Sequence, residues 1–194
     1  DGIKTNPDKI AAIKLLRPPS NRKQLQSFIQ TCSWYRKFVS EFSEIARPLT
    51  NLLKKNASFQ FGEAELRAFE TLKERLTTAP VLAQADQTKP YILRTDASCY
   101  ALGAVLLQGE KYDEHPIEYA SRLLKDSEKN YSTTEREALA VVWAVEKFRH
   151  YLEGAKVVIA SDHQPLRWLL TLKSPSGRLA RWALRLQGMN MDVV

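Results

Sequence analysis

The chain has 194 residues, 44% of them hydrophobic and 26% charged, with 7 Gly and 9 Pro, a composition that excludes collagen-like, low-complexity and disordered classes. Its cysteines, Cys32 and Cys99, show neither C-x-x-C nor Cys/His ligand spacing, so a disulfide framework and a zinc site are not expected and both are read as reduced thiols of an intracellular protein. The net charge of +7 is uneven, with 14 Lys/Arg against 8 Asp/Glu in residues 1–80 and 15 against 14 in residues 81–194; such a surface suits either a polyanion or a plain solvated face.

The first 80 residues read as helices. Asn6-Pro7 supplies an N-cap and a first-turn proline, Ile10, Ile13 and Leu16 follow at helical spacing, and Pro18-Pro19 stop the run. Ser20 is expected to cap a second helix, in which Leu25, Phe28, Ile29, Cys32, Tyr35, Phe38 and Val39 recur every three or four positions. Further helices are expected around Ile45 to Leu53 and Glu63 to Leu76, the latter with Leu66, Phe69, Leu72 and Leu76 on one face. No strand of any length is expected before Pro80.

Beyond Pro80 the period changes. Pro90 to Ala97, Ala101 to Gln108 and His115 to Ser121 are β-rich runs and read as three antiparallel strands. Thr133 to Leu152 predicts a long helix ended by Gly154, Lys156 to Ser161 a further strand, and Pro165 to Leu170 and Arg178 to Leu186 two more helices, with a last strand beginning near Met191. The order βββαβα implies an α/β architecture, a mixed sheet with packed helices. The predicted units are a helical segment, 1–80, and an α/β domain, 81–194.

No P-loop, G-x-G-x-x-G turn, G-x-S-x-G elbow or H-E-x-x-H is present, which removes the common nucleotide-binding and hydrolase motifs. No apolar run reaches the ~18–20 residues of a membrane span, and the start Asp1-Gly2-Ile3-Lys4 has no signal-peptide layout and reads as that of a fragment.

Three acids stand at the ends of elements. Asp96 closes the first strand and is read either as a turn-former or as a ligand; Asp162 closes the later strand and is read either as an N-cap or as a ligand. On a wheel of the helix between them, Glu137 lies about 60° from the apolar centre, against about 100° for Glu135 and about 120° for Glu146. Glu137 is therefore either a boundary residue or a third ligand. Three converging carboxylates would need cations to hold them, and an oxygen-only donor set selects Mg²⁺ or Mn²⁺. Two such ions point to phosphodiester hydrolysis.

The motifs themselves are recognisable. Thr95-Asp96-Ala97-Ser98, Gly103-Ala104-Val105-Leu106-Leu107-Gln108, Pro116-Ile117-Glu118-Tyr119-Ala120-Ser121-Arg122, Asn130-Tyr131-Ser132-Thr133-Thr134-Glu135-Arg136-Glu137-Ala138-Leu139-Ala140 and Ser161-Asp162-His163 resemble the ribonuclease H domain of gypsy-type LTR-retrotransposon Pol polyproteins. Pro7-Asp8-Lys9-Ile10, Pro19 through Phe28, Tyr35-Arg36-Lys37-Phe38 and Ala46-Arg47-Pro48-Leu49-Thr50 resemble the thumb and connecting helices that follow the polymerase palm in the same polyproteins. The chain departs from the family at Ile29-Gln30, where Leu-Gly is usual, and at Trp34, near a usual Tyr. Both are packing changes.

The resemblance implies a helical thumb/connection segment followed by a ribonuclease H-like mixed sheet. It implies that Asp96, Glu137 and Asp162 are the first three acids of a two-metal site, with the fourth expected beyond Val194 after a Gly- and Asn-containing turn. By this reading the domain is C-terminally truncated and Asp192 is not the fourth acid. The implied reaction is cleavage of the RNA strand of RNA/DNA hybrids, with His163 available for proton transfer. Implied partners are the hybrid duplex and the upstream fingers and palm; the implied location is cytoplasmic, including retrotransposon particles. The alternative is a catalytically silent connection module that grips duplex.

Among basic residues, Arg22, Lys23, Arg36 and Lys37 are candidate duplex contacts, as is the one-sided stripe Arg178, Arg181 and Arg185; solvated faces are the competing reading. Trp143, Trp168 and Trp182 are read as packing residues rather than base-stacking platforms.

Overall fold

A computed structural model describes residues 2–160 and 177–193. Helix α1 (Pro7–Leu15) begins as expected, the Asn6 side chain accepting the Lys9 N–H, and it stops where Leu16 turns extended before the Pro18-Pro19 pair. Helix α2 (Arg22–Trp34) is capped by Asn21 rather than by Ser20. Asn21 accepts the Gln24 N–H at 3.0 Å, while the Gln24 side chain reaches back to the Ser20 N–H and hydroxyl. Ser20 is thereby occupied, and the cap moves one residue on.

The periodic run continues past Trp34 only as a 3₁₀ turn, Arg36–Phe38. Short helices α3 (Phe42–Ile45) and α4 (Arg47–Leu52) and the longer α5 (Glu63–Thr77) complete the segment. Leu66 does not join the buried face of α5: it is 41% exposed, whereas Ala68, Phe69, Leu72 and Leu76 are buried. With Ala68 on the inner side, the stripe centre lies about 100° from Leu66 at one helical step of 100° per residue. Phe28 and Phe69, with ring centroids 4.5 Å apart, sit within a cluster that also contains Ile13, Leu25, Leu49 and Leu72.

Strands β1 (Tyr91–Ala97), β2 (Ala101–Gln108) and β3 (His115–Leu123) form where the β-rich runs predict them. Helix α6 (Thr133–Lys147), helix α7 (Arg149–Leu152), strand β4 (Val157–Ala160), helix α8 (Gly177–Leu186) and strand β5 (Met191–Val193) follow. The predicted helix 133–152 is divided at Phe148, whose ψ of 13° leaves the α-helical range, and Gly154, with a φ of +79°, then turns the chain toward β4. The expected helix at Pro165 to Leu170 lies outside the described residues.

The five strands form one mixed sheet in the order β3-β2-β1-β4-β5, antiparallel between β1 and β2 and between β2 and β3, and parallel between β1 and β4 and between β4 and β5. Tyr91, Leu93, Leu102, Leu106, Ile117 and Ala120 project from one face into a second cluster with Ala138, Val141, Val142 and Val145 of α6. Each buried Leu or Val side chain there contributes about 1.5–3 kcal/mol. The alternating register then leaves Ile92, Arg94 and Asp96 on the other parity, turned away from α6.

Strand β3 is an edge of the sheet, and the helical segment covers it. The backbone N–H of Ser43 donates to Ser121 Oγ at 2.9 Å, and the Ser121 carbonyl accepts from Ser43 Oγ at 3.0 Å and from the Arg36 guanidinium at 2.7 Å. Ala83 N–H donates to the Pro116 carbonyl at 2.7 Å, and Ile3 forms an isolated bridge with Leu82. An exposed edge that would otherwise template further strands is thus closed within the chain.

Candidate active site

Asp96 occupies the penultimate position of β1, directly opposite Gly103 of β2, which in turn lies opposite Ser121 of β3. Its side chain is exposed and makes no hydrogen bond or ion pair among the described residues. The turn that follows is built by Ser98 instead: its hydroxyl oxygen accepts the N–H groups of Tyr100 at 3.1 Å and Ala101 at 3.0 Å, and its own N–H donates to the Ala101 carbonyl at 2.9 Å. The side-chain hydrogen bonds that make this hairpin therefore belong to Ser98, leaving both oxygens of Asp96 uncommitted among the described residues.

Glu137 is half-buried in the second turn of α6. The partners of Glu135 and Glu146, the other two acids weighed on this helix, are structural ones. Glu135 closes a capping box, accepting the Ser132 N–H at 2.8 Å while its own N–H donates to Ser132 Oγ at 3.2 Å, and it also accepts from Arg178 at 2.7 Å. The Ser132 N–H foremost, with the Ser132 hydroxyl and Arg178 adding to it, holds the Glu135 carboxyl below its ordinary range against the opposing effect of burial. Glu146 is paired with Arg185 at 3.0 Å.

The first turns of α6 reach the end of β1, because the Arg136 guanidinium donates to the Ser98 carbonyl at 3.2 Å. Ser98 is thus tied on one side to the residue preceding Glu137 and on the other to the strand carrying Asp96. Two buried polar atoms here have no hydrogen-bond partner among the described residues, Thr95 Oγ1 and Arg136 Nε, each on the residue immediately before one of the acids. Orphaned polar atoms mark places where water or a ligand completes a network. The oxygen-only donors Asp96 and Glu137 fit a hard divalent cation, whereas Arg136 Nε, an N–H donor, can be satisfied only by water or an anionic oxygen. Among the described residues no group of three His, Cys, Asp or Glu side chains is assembled for metal binding. Asp162 and His163 lie outside the described residues. The last described pair between β1 and β4 is Arg94 with Ala160, and in sequence Asp162 follows Ala160 by the same two positions that separate Asp96 from Arg94.

The basic candidates divide into committed and open side chains. Arg22 donates to the Ala57 carbonyl, Arg36 to Ser121 and Ser43, Arg178 to Glu135 and Arg185 to Glu146. Lys37 lies 5.5 Å from the Phe38 ring. Lys23 and Arg181 are exposed and form no ion pair among the described residues. Trp182 is buried with its ring 5.9 Å from Tyr131, and Trp143 is half-buried with the Arg122 guanidinium 5.7 Å above it; Trp168 lies outside the described residues. Trp34, by contrast, is 81% exposed at the end of α2.

Sequence reasoning did not single out Ser98, Glu44 or Arg136. Ser98 was within reach, two positions after a strand-end Asp and three before the next strand, a spacing at which a hydroxyl bonds the turn's own backbone. Nothing local marks Glu44 or Arg136.

Residues 86–189 match the family described as the RNase H-like domain found in reverse transcriptase. Over 96% of its length the chain is 47% identical to the retrovirus-related Pol polyprotein from transposon 297 of Drosophila melanogaster, of which it covers 17%. It is 36% identical over its full length to the corresponding gypsy polyprotein of the same organism, covering 20% of it, and 37% identical over 97% of its length to the transposon Tf2-3 polyprotein of Schizosaccharomyces pombe, covering 14%. The chain therefore spans no more than a fifth of these relatives. Its fold is similar to that of a foamy viral protease-reverse transcriptase dRH in complex with double-stranded DNA, with a TM-score of 0.83 at 22% identity over 100% of this chain and 35% of that one. It is also similar to a foamy viral protease-reverse transcriptase in complex with an RNA/DNA hybrid, with a TM-score of 0.75 at 24% identity over 97% of this chain and 26% of that one.

Proposed function

Because the chain belongs to the family of RNase H-like domains found in reverse transcriptase, in the lineage of gypsy-type Pol polyproteins, we propose that it is the ribonuclease H part of a retrotransposon reverse transcriptase, hydrolysing the RNA strand of RNA/DNA hybrids. The observation that carries this reading is Asp96: an exposed carboxylate at the end of β1, relieved of turn-forming duty by Ser98, with the Arg136-Glu137 turn of α6 anchored to the same strand end.

Asp96 and Glu137, with Asp162, would hold Mg²⁺ or Mn²⁺, and two such ions, when bound, supply water activation and stabilisation of the leaving oxygen. Asp96 and Glu137 come from different elements, a strand and a helix. His163, next to Asp162 in sequence, is assigned to proton transfer. The hybrid bound by a foamy viral relative supports the same duplex as substrate here. Lys23 and Arg181, the open cations, are assigned to its phosphates, which position the duplex without reading its sequence. Within the polyprotein the upstream fingers and palm would be the physical partners, and the working location the cytoplasm or a retrotransposon particle.

The test is cleavage of an end-labelled RNA/DNA hybrid in Mg²⁺ and in Mn²⁺ by this chain, by a fragment extended past Val194, and by Asp96→Asn in each. Cleavage of the RNA strand that disappears in Asp96→Asn is the expected result. Tight hybrid binding with no cleavage by any form would replace this reading with that of a silent duplex-gripping module.

A further inference from the structure

Beyond Arg94, β1 is paired on one side only among the described residues: its partner β4 ends at Ala160, while β2 continues opposite Asp96 and Ala97. Among the described residues the carboxylate of Asp96 itself makes no hydrogen bond there. Its position is therefore set, among the described residues, through the backbone and through what restrains the turn at Ser98.

That turn is held from outside the α/β domain. The Ser98 hydroxyl, while accepting two N–H groups of its own turn, donates its proton to Glu44 Oε2 at 2.8 Å, a contact 54 residues away in sequence. Glu44 lies on α3, and its neighbour Ser43 is the residue bonded twice to Ser121 at the end of the row Asp96, Gly103, Ser121. Glu44, Asp96, Ser98, Gly103 and Ser121 line one small cleft of about 10 Å³. A hydroxyl donating to a carboxylate is a charge-assisted bond, stronger than one between neutral groups. Accepting that donation, Glu44 also fixes the hydroxyl rotor, so the oxygen lone pairs stay aimed at the Tyr100 and Ala101 amides.

We propose that Glu44, on the helical segment, is a positioning residue for Asp96, acting through Ser98, so that the docking of α3 on the sheet sets the geometry of the nuclease carboxylates. The inference rests on the functional reading above. Outer partners that orient ligating carboxylates typically account for 10–100-fold in metal affinity; as Glu44 acts at one remove from Asp96, the lower end, about tenfold, is expected.

The experiment is a Mn²⁺ titration of the full chain, read site by site from paramagnetic broadening of the Asp96, Ala97 and Gly103 amide resonances, for the parent, Glu44→Ala and Glu44→Gln. The glutamine amide oxygen can still accept the Ser98 proton but carries no charge. Glu44→Ala should weaken the Mn²⁺ midpoint about tenfold and speed hydrogen exchange at Tyr100 and Ala101, while Glu44→Gln stays within about twofold of the parent, and the Val141 and Val142 amides in the core keep parental exchange in both. Equal Mn²⁺ binding by parent and Glu44→Ala would overturn the proposal and leave the functional reading standing. Equal weakening in Ala and Gln variants would overturn it in favour of a bare charge effect. No broadening in the parent would overturn both. Should Glu44→Ala not fold, Ser98→Ala with an intact Glu44 must show the same weakening, or the proposal falls.

Discussion

Arg178 donates a 2.7 Å hydrogen bond to Glu135 and so ties α8 to the first turn of α6 across 43 residues of chain. The same guanidinium lies 3.9 Å from the Tyr131 ring. Both side chains of the ion pair are partly exposed, so screening limits its worth, and Arg178→Ala should cost about 0.5–1 kcal/mol, including the lost ring contact. The signature to look for is faster hydrogen exchange along α8 with α2 unchanged. Unaltered exchange in α8 would show that Trp182 and Leu186 alone hold the helix. Because Glu135 is held below its ordinary range, its contribution is complete at neutral pH and is lost as pH falls through the carboxylate range.

Glu128 is the one buried charged residue among the described residues, and Arg122 meets it through both terminal guanidinium nitrogens at 2.6 and 3.0 Å, with the Lys125 N–H adding a third bond at 2.8 Å. Burial raises the Glu128 carboxyl, but Arg122 and the Lys125 N–H outweigh it and leave the group below its ordinary value. Arg122→Ala should therefore destabilise by about 2–3 kcal/mol, the cost of a buried carboxylate deprived of its charged donor. With a depressed folded value the stabilisation is present above the unfolded value, about 4.3, and disappears as pH falls below it. Urea midpoints at pH 7 and pH 3 should differ less in Glu128→Gln than in the parent; an identical difference would refute the assignment.

The committed and open cations should separate experimentally. Arg36→Ala removes the donor to the Ser121 carbonyl and should lower stability by about 1–2 kcal/mol. Lys23→Ala and Arg181→Ala should leave stability within about 0.5 kcal/mol, yet each should reduce the salt slope of hybrid binding by about one. Filter binding across a salt series decides this. If Arg36→Ala alone changed the slope, Arg36 would be the duplex contact and the open cations bystanders.

The two thiols should differ sharply. Burial pushes the Cys32 thiol up to about 12, whereas Cys99 is exposed. Thiolate is the reactive form, so Ellman's reagent at pH 8 should titrate one thiol in the native chain and two in urea. Two fast thiols under native conditions would mean that the α2 core opens readily.

Element type was legible wherever period and composition agreed. The three runs from Pro90 to Ser121 are short segments rich in Val, Ile, Leu and Tyr, and they became β1, β2 and β3; the wheel of residues 133–152 placed Ala138, Val141, Val142 and Val145 inward, and they are buried. Errors came where a local rule had competitors. The cap moved from Ser20 to Asn21 because Gln24 occupied the serine, and the long helix broke at Phe148, which is fully buried. Both depend on partners that a period does not encode.

By itself, then, the amino-acid order determined the classes of element, their sequence along the chain, and the acids worth weighing, because hydrophobic period and motif spacing are local properties read over a few residues. What only tertiary structure decided is the occupancy of each polar group. Arg36 and Ser43 were basic and polar residues in a helical segment until folding brought them to Ser121, 85 and 78 positions away, and among the described residues Asp96 became the uncommitted carboxylate of its turn because Ser98 took the backbone bonds and Glu44 took the Ser98 proton. A hydrogen bond is satisfied by whichever group lies within about 3 Å, and over such separations that neighbour is chosen by the packing of the whole chain.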